Sequence, residues 1–423
     1  MERMDRPTDI REFTLGNGLR VGLQRTQTET VSGRLRVRHG PLNERPGEEG
    51  IAHLLEHVLC SGGTERYAPP EAEKIIGSFG FSNATTTLFD INFQVDMLAK
   101  DAAKYLDVVP EIAFKPRLDP ECLKQEQGRV LREISDAESS PHYRGDRESR
   151  QALLQHSRLA YSPLGKREVV AAASQSTLRD FHGRGFFPNN ADLILVGQLP
   201  DSIEALIEKN FGNLRSGQAE CAPIPPIFPL NKRTILDYTP PTNKEQDCSV
   251  QLELSVVCDY PDEDRCPLHV LDFILGKNNS SRLMKVLSSE KGLVYGISSH
   301  FSPYFGPIKT GQFFVYGNIS GSRSEEVIDT IFSEVGKIKK QPIREEEITG
   351  VIGKAEYQLV KHFETNVGRS QAIEMLWDFD RYPSPKRIVR EFGEVTPGDV
   401  QRVAQRYLPN RDGNYVMRLM APP

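Results

Sequence analysis

Apolar positions along the chain change period several times, and each change marks an element. Over residues 50–60, GIAHLLEHVLC, the apolar Ile51, Leu54, Leu55, Val58 and Leu59 recur at i, i+3, i+4, i+7 and i+8, the stripe of an amphipathic helix facing a core. Gly62 and Gly63 supply its stop. Residues 81–98, FSNATTTLFDINFQVDML, shift to period two. There Ile91, Phe93 and Val95 alternate with Asn92 and Gln94, which predicts a half-buried antiparallel strand. A second strong helix starts at Asp119-Pro120, an N-cap followed by proline at the first helical position, and is anchored by Leu123, Val130, Leu131 and Ile134.

The clearest break is SGQAECAPIPPIFPL, residues 216–230, where clustered prolines deny both helix and central strand. The halves on either side resemble each other in order. HLLEHVL (53–59) matches HVLDFIL (269–275), residues 118–134 lie over 343–359, and 177–197 over 396–419, the last pair reading as helix, Pro-Asn turn and closing strand. Strands such as LRVGLQ and RLRVRHG open the first half and SVQLELSVV the second. The expectation is an α+β fold of two duplicated domains, 1–215 and 231–423, each a mainly antiparallel sheet packed with helices, joined by the linker 216–230.

At 423 residues the chain exceeds what one core usually serves, and 38% hydrophobic with 26% charged residues is an ordinary globular composition. A net charge of −5 with interspersed signs offers no basic field for a phosphate backbone, which argues against nucleic acid. No run approaches the roughly 20 apolar residues of a membrane span, and the acids in MERMDRPTDIREFTLGNG do not suit a targeting segment. A cytoplasmic location without membrane attachment is therefore expected. Cys60, Cys122, Cys221, Cys248, Cys258 and Cys266 form no C-x-x-C pair and read as scattered free thiols.

Chemistry concentrates on the first helix. At about 100° per residue His53, Glu56 and His57 lie near about 0°, −60° and +40°, clustered away from the apolar stripe. Two imidazoles one turn apart suit joint ligation of one ion, and H-x-x-E-H is a known inverted metalloprotease signature. Zinc held by two histidines needs a third protein ligand, for which a carboxylate is the natural choice. Glu126 and Glu133, two turns apart on one face of the second helix, are both available.

Several segments together resemble the pitrilysin, or insulinase, family of inverted-motif zinc metallopeptidases, in its half-length form. GIAHLLEHVLCSGGTERY is similar to the family's zinc helix, FSNATTTLFD to the following strand and EQGRVLREI to its third-ligand helix. YSPLGKREVV, PNNADLILVG and SSRLMKVLSSEKGLVYGISS extend the likeness over essentially the whole chain. The resemblance implies His53, His57 and Glu133 as zinc ligands, Glu126 as the acid supporting a ligand histidine, and Glu56 as the base acting on water. It implies further that peptide adds to the strand after the zinc helix, at Asn83 and Ala84. A substrate-binding Arg/Tyr pair of many relatives stands here as Ser288 and Tyr295. In the second half His269 and Asp272 persist, but Phe273, Gln358 and Val351 replace the second histidine, third ligand and supporting acid, so no zinc is expected there.

The expected function is zinc-dependent endopeptidase action on short or unfolded peptides. The competing reading is a non-catalytic architectural or peptide-binding subunit of the same fold. Because family enzymes enclose peptide between two such halves, the resemblance implies a dimer, with a related chain that supplies the missing arginine or with a second copy. The C-terminal half is expected to contribute substrate binding and dimer formation.

Overall fold

The computed structural model describes residues 10–69, 71–155, 157–221, 230–236, 249–303, 308, 310–378 and 385–420. The chain falls into two compact units, one of Met1–Ala137, Tyr161–Pro223 and Lys361–Ser384, the other of Glu138–Ala160, Ile224–Val360 and Pro385–Pro423. Each unit thus takes one segment from the opposite half of the sequence. Of the expected linker, residues 222–229 lie outside the described residues, as does Cys248, and 216–221 are irregular.

The first unit holds six strands, β1 (Ile10–Thr14), β2 (Arg20–Arg25), β3 (Thr30–Val37), β4 (Phe81–Thr86), β5 (Ile91–Leu98) and β6 (Ala191–Gly197), in the order β1-β2-β6-β3-β5-β4. The second holds β7 (Thr234–Leu236), β8 (Ser249–Asp259), β9 (Val294–Pro303), β10 (Thr310–Ser320) and β11 (Val416–Met420), in the order β7-β11-β8-β10-β9. β2-β6-β3-β5-β4 and β7-β11-β8-β10-β9 have the same directions throughout. In each, the first pair is parallel and every other pair antiparallel. This is α+β, and the faint sequence repeat corresponds to a repeat of topology.

Helices α1 (Ile51–Ser61), α2 (Glu71–Gly77), α3 (Ala102–Phe114), α4 (Pro120–Ser139), α5 (Pro141–Leu154), α6 (Arg167–Ala172), α7 (Gln175–Gly185) and α8 (Ile203–Phe211) come from the first half. α9 (Asp262–Leu275), α10 (Ser324–Lys340), α11 (Glu345–Phe363), α12 (Asn366–Asp378), α13 (Pro385–Gly393) and α14 (Pro397–Tyr407) come from the second, with a π-helical turn at Met284–Glu290. In the first unit Val31, Leu35 and Val37 of β3, Leu193 and Leu195 of β6 and Val95 of β5 share one core with the apolar stripes of α1, α3, α7 and α8. In the second, alternate residues of β8 from Val250 to Cys258 pack with α9, α10 and α14.

The opposite face of each sheet corrects the expectation of a half-buried strand. Asn92 of β5 is buried, not solvated, because α12 lies across that face. Asn92 and Arg34 both bond Glu374 of α12, Arg36 bonds Asp192 and Asp378, and Ser32 meets Ser370. Polar side chains are tolerated there because nearly every charge finds an opposite partner. Ile194 and Val196 complete the contact with Ile373 and Trp377, and Gly22 of β2 leaves room for the indole, since a Cβ there would stand 2.8 Å from it. The second sheet is covered in the same manner by α5, whose Asp146 pairs with the buried Arg418 of β11.

Candidate metal centre

The helix carrying the sequence motif starts at Gly50, whose φ of 106° is reached cheaply only by glycine. Its first amides are not capped by their own N-cap residue. The buried carboxylate of Glu44 accepts from the Gly50 N–H at 3.0 Å and the Ala52 N–H at 2.9 Å, placing negative charge at the positive end of the helix. Ile51, Leu54, Leu55, Val58 and Leu59 are buried, so the helix cannot rotate and its polar face is fixed. α4 is set by the Asp119 carboxylate, which accepts from the N–H groups of Glu121 and Cys122, and by buried Leu123, Val130 and Ile134.

These two helices bring the expected ligands together. One ligand atom each from His53, His57 and Glu133 falls within 4.8 Å of the other two. Glu133 Oε2 lies 3.7 Å from His53 Nε2 and 3.6 Å from His57 Nε2. The rings meet nearly at right angles, 89° with centroids 4.8 Å apart. Tetrahedral zinc with ligands at about 2.0–2.2 Å separates neighbouring ligand atoms by about 3.4 Å, so the spacing fits such an ion.

Glu126, buried in contrast to the half-exposed Glu133, accepts from the His57 Nδ1–H at 3.1 Å, the Ser61 hydroxyl at 3.0 Å and Arg129 at 2.8 Å. Burial works to raise its pKa, but these donors outweigh it and the carboxylate stays charged. With Nδ1–H committed to Glu126, the His57 Nε2 lone pair points to the cluster. At His57 itself burial lowers the pKa, but the Glu126 bond and the carboxylates of Glu56, Glu133 and Glu126 raise it overall. Burial, aided by His57, depresses His53 to about 4, leaving a neutral imidazole at pH 7. Glu56 is not in the ligand triangle. Its Oε2 accepts from the Thr86 hydroxyl at 2.9 Å, and burial pushes its carboxyl upward despite His57 and that bond. Thr86, Ser61 and Arg129 escape a reading of the sequence. A threonine on the strand that follows the motif helix is the available signal for the first.

Asn83 and Ala84 lie on β4, an edge strand, with Asn83 exposed and opposite Gln94, and Ala84 half-buried opposite Phe93. Tyr295 lies on β9, the edge strand of the second sheet, with its side chain fully exposed, and Ser288 lies in the π-helical turn. The free thiols include Cys60, Cys122, Cys221, Cys258 and Cys266. In the second unit, the half-buried His269 packs edge-on against Phe301, centroids 5.0 Å apart. Asp272 accepts from the Ser299 hydroxyl at 2.8 Å, as Glu56 does from Thr86, while Arg282 is paired with Glu347. Val351 is buried and Gln358 exposed.

A model of the insulinase family, peptidase family M16, matches residues 20–166, and one described as the peptidase M16 inactive domain matches 172–353. The chain is 25% identical over 419 residues to the uncharacterized zinc protease YmxG of Bacillus subtilis, covering 98% of each. In fold it is similar to a protease from Helicobacter pylori, with a TM-score of 0.83 at 20% identity over 98% of this chain and 99% of that one. It is also similar to the periplasmic protease PqqL from Escherichia coli, with a TM-score of 0.81 at 19% identity, and there 99% of this chain covers 48% of the other. Two family models in tandem, a full-length zinc-protease relative and a shared fold agree: the chain belongs to the insulinase, or pitrilysin, family of peptidases.

Proposed function

We propose that the chain is a zinc-dependent endopeptidase acting on short or unfolded peptides. The observation that carries this reading is the convergence of His53, His57 and Glu133 to within 4.8 Å, with Glu56 beside the triangle but turned to Thr86. The name of its Bacillus subtilis relative, a zinc protease, supports the choice of metal. Zinc held there would polarise the scissile carbonyl and bring the pKa of a bound water down to about 7. Glu56 takes the proton of the attacking water and passes it to the leaving amine, and the burial that raises its pKa helps it hold that proton between the two events. Thr86 keeps the carboxylate in place, and Glu126 keeps His57 in the tautomer whose Nε2 is free to ligate. β4 pairs with β5 along one edge, and among the described residues no strand pairs with the other, so an extended peptide can add there beside Asn83 and Ala84.

The test is metal content together with turnover. The purified chain is expected to carry about one zinc, Glu133→Gln to weaken its retention, and Glu56→Gln to keep the metal while abolishing hydrolysis. Metal-free protein with full activity sinks the assignment. Strand addition requires an extended segment, so an unfolded peptide should be cut and a stable folded domain should resist. The chain is further proposed to work as one half of a pair, with a second copy or with a related chain bearing an arginine where Ser288 stands. Support comes from PqqL, of whose length this chain spans about half. Full activity as a monomer in solution overturns that pairing.

A further inference from the structure

The counterpart of the metal centre in the second unit is an open cleft of about 390 Å³, lined by Phe273 of α9, Lys277 and Asn278 just after that helix, and Lys354, Tyr357 and Gln358 of α11. Phe273 and Gln358 occupy the repeat positions of His57 and Glu133. The charge balance has been rewritten. Lys277 Nζ stands 3.3 Å from the buried Asp272, the counterpart of Glu56, and 4.9 Å from the Phe273 ring, so an ammonium balances the acid. Lys354 Nζ is held by neutral oxygens, Asn278 Oδ1 at 3.1 Å and Ser280 Oγ at 2.8 Å, and among the described residues no acidic side chain lines the cleft. The cleft therefore keeps one surplus cation above an aromatic floor. Two of its lining residues are Gly350 and Gly353, in the middle of α11, with nothing within 4 Å of where a Cβ would stand. Glycine there weakens the helix relative to alanine, and what it leaves is open space.

We infer that this degenerate copy is a carboxylate pocket that receives the free C-terminus of a peptide, the terminal carboxylate at Lys354 and Lys277 and an apolar last side chain against Phe273 and Tyr357. The inference rests on the peptidase reading only in taking the ligand to be a peptide. An ammonium pair with a neighbouring amide suits a carboxylate, and the apolar floor accommodates the side chain beside it without desolvating a second charge.

The full chain carrying Glu56→Gln, which binds peptide without consuming it, is titrated by fluorescence anisotropy with an N-terminally labelled octapeptide ending in leucine, as free acid and as amide. The acid should bind at least about tenfold tighter, the scale of one charge-assisted hydrogen bond. Lys354→Met should remove most of that preference. So should the pair Lys277→Met with Asp272→Asn, which deletes both charges together and leaves no unpaired buried acid. A photoreactive leucine at the peptide's C-terminus should label Phe273–Lys277 or Thr349–Gln358. Equal affinity of acid and amide, a preference that survives Lys354→Met, or labelling confined to other segments overturns the pocket. Hydrolysis by the unmodified chain is scored separately: acid preference without hydrolysis leaves the pocket standing and removes the peptidase, and hydrolysis without acid preference does the reverse.

Discussion

Glu126→Gln perturbs the centre without touching a proposed ligand. The carboxylate is 2% exposed and receives three donors, from His57, Ser61 and Arg129. A glutamine keeps the shape but offers one carbonyl oxygen, and its amide N–H groups must face at least one of those donors. Ser61 can yield most easily, because its one hydroxyl proton has an alternative acceptor in the His57 carbonyl at 2.9 Å. The His57 Nδ1–H then keeps a neutral acceptor in place of an anionic one. The tautomer is kept, but the basicity that the anionic acceptor adds at Nε2 is lost. Removing such an outer partner typically weakens metal binding by about 10- to 100-fold, or roughly 1.4–2.7 kcal/mol. The assay is zinc competition against a chromophoric chelator, run alongside Ser61→Ala, which removes one of three donors and should cost less. A zinc Kd within about twofold of the unmodified protein, in a variant that melts cooperatively, would refute the role given to Glu126.

Thr86→Val should lower kcat by about 10- to 100-fold with zinc affinity unchanged, since it removes only the donor that fixes Glu56; a matching loss of zinc would show the hydroxyl acting through the metal instead. Arg36→Met strips the buried Asp192 and the half-buried Asp378 of their shared partner and should destabilise the fold by about 3 kcal/mol in urea unfolding, the lower end for a broken buried pair because Arg38 still reaches Asp192; a loss below about 1 kcal/mol contradicts the account of the α12 face. Burial holds His39 and His182 at about 4 and His269 at about 3, all below the roughly 6.5 of an unfolded chain. As pH falls through 6.5 the unfolded state takes up these protons first, so stability present above that value is lost toward pH 4, at most roughly 3 kcal/mol per histidine. Melting temperatures that stay level between pH 7 and 5 would dispose of this expectation, and His39→Phe should flatten the slope if it holds.

The sequence by itself determined what local period and short spacing can record. The stripe from Ile51 to Leu59 specified the first helix and put His53, Glu56 and His57 on its other face, because 3.6 residues per turn leaves no other arrangement once that stripe is buried. The Asp119-Pro120 start fixed the second helix in the same manner, and the ordered repeat anticipated two sheets of one topology. The resemblance implies Glu133 rather than Glu126 as the third ligand, but helical period cannot separate them, since both share a helix face; only in the fold does the approach of the first helix bury one at His57 Nδ1 and leave the other level with both Nε2 atoms. It alone supplied Thr86 as the partner of Glu56, thirty residues away. It also reversed the reading of Asn92. An alternating strand marks which side chains differ in polarity, but not whether water or another helix meets the polar ones. Here Glu374 meets Arg34 from 340 positions along the chain, a pairing that leaves no trace in any local window. The exchange of α5 and α12 between the halves went unread for that reason: a helix's own stripe states that it must be covered, and the folded chain decides by which sheet.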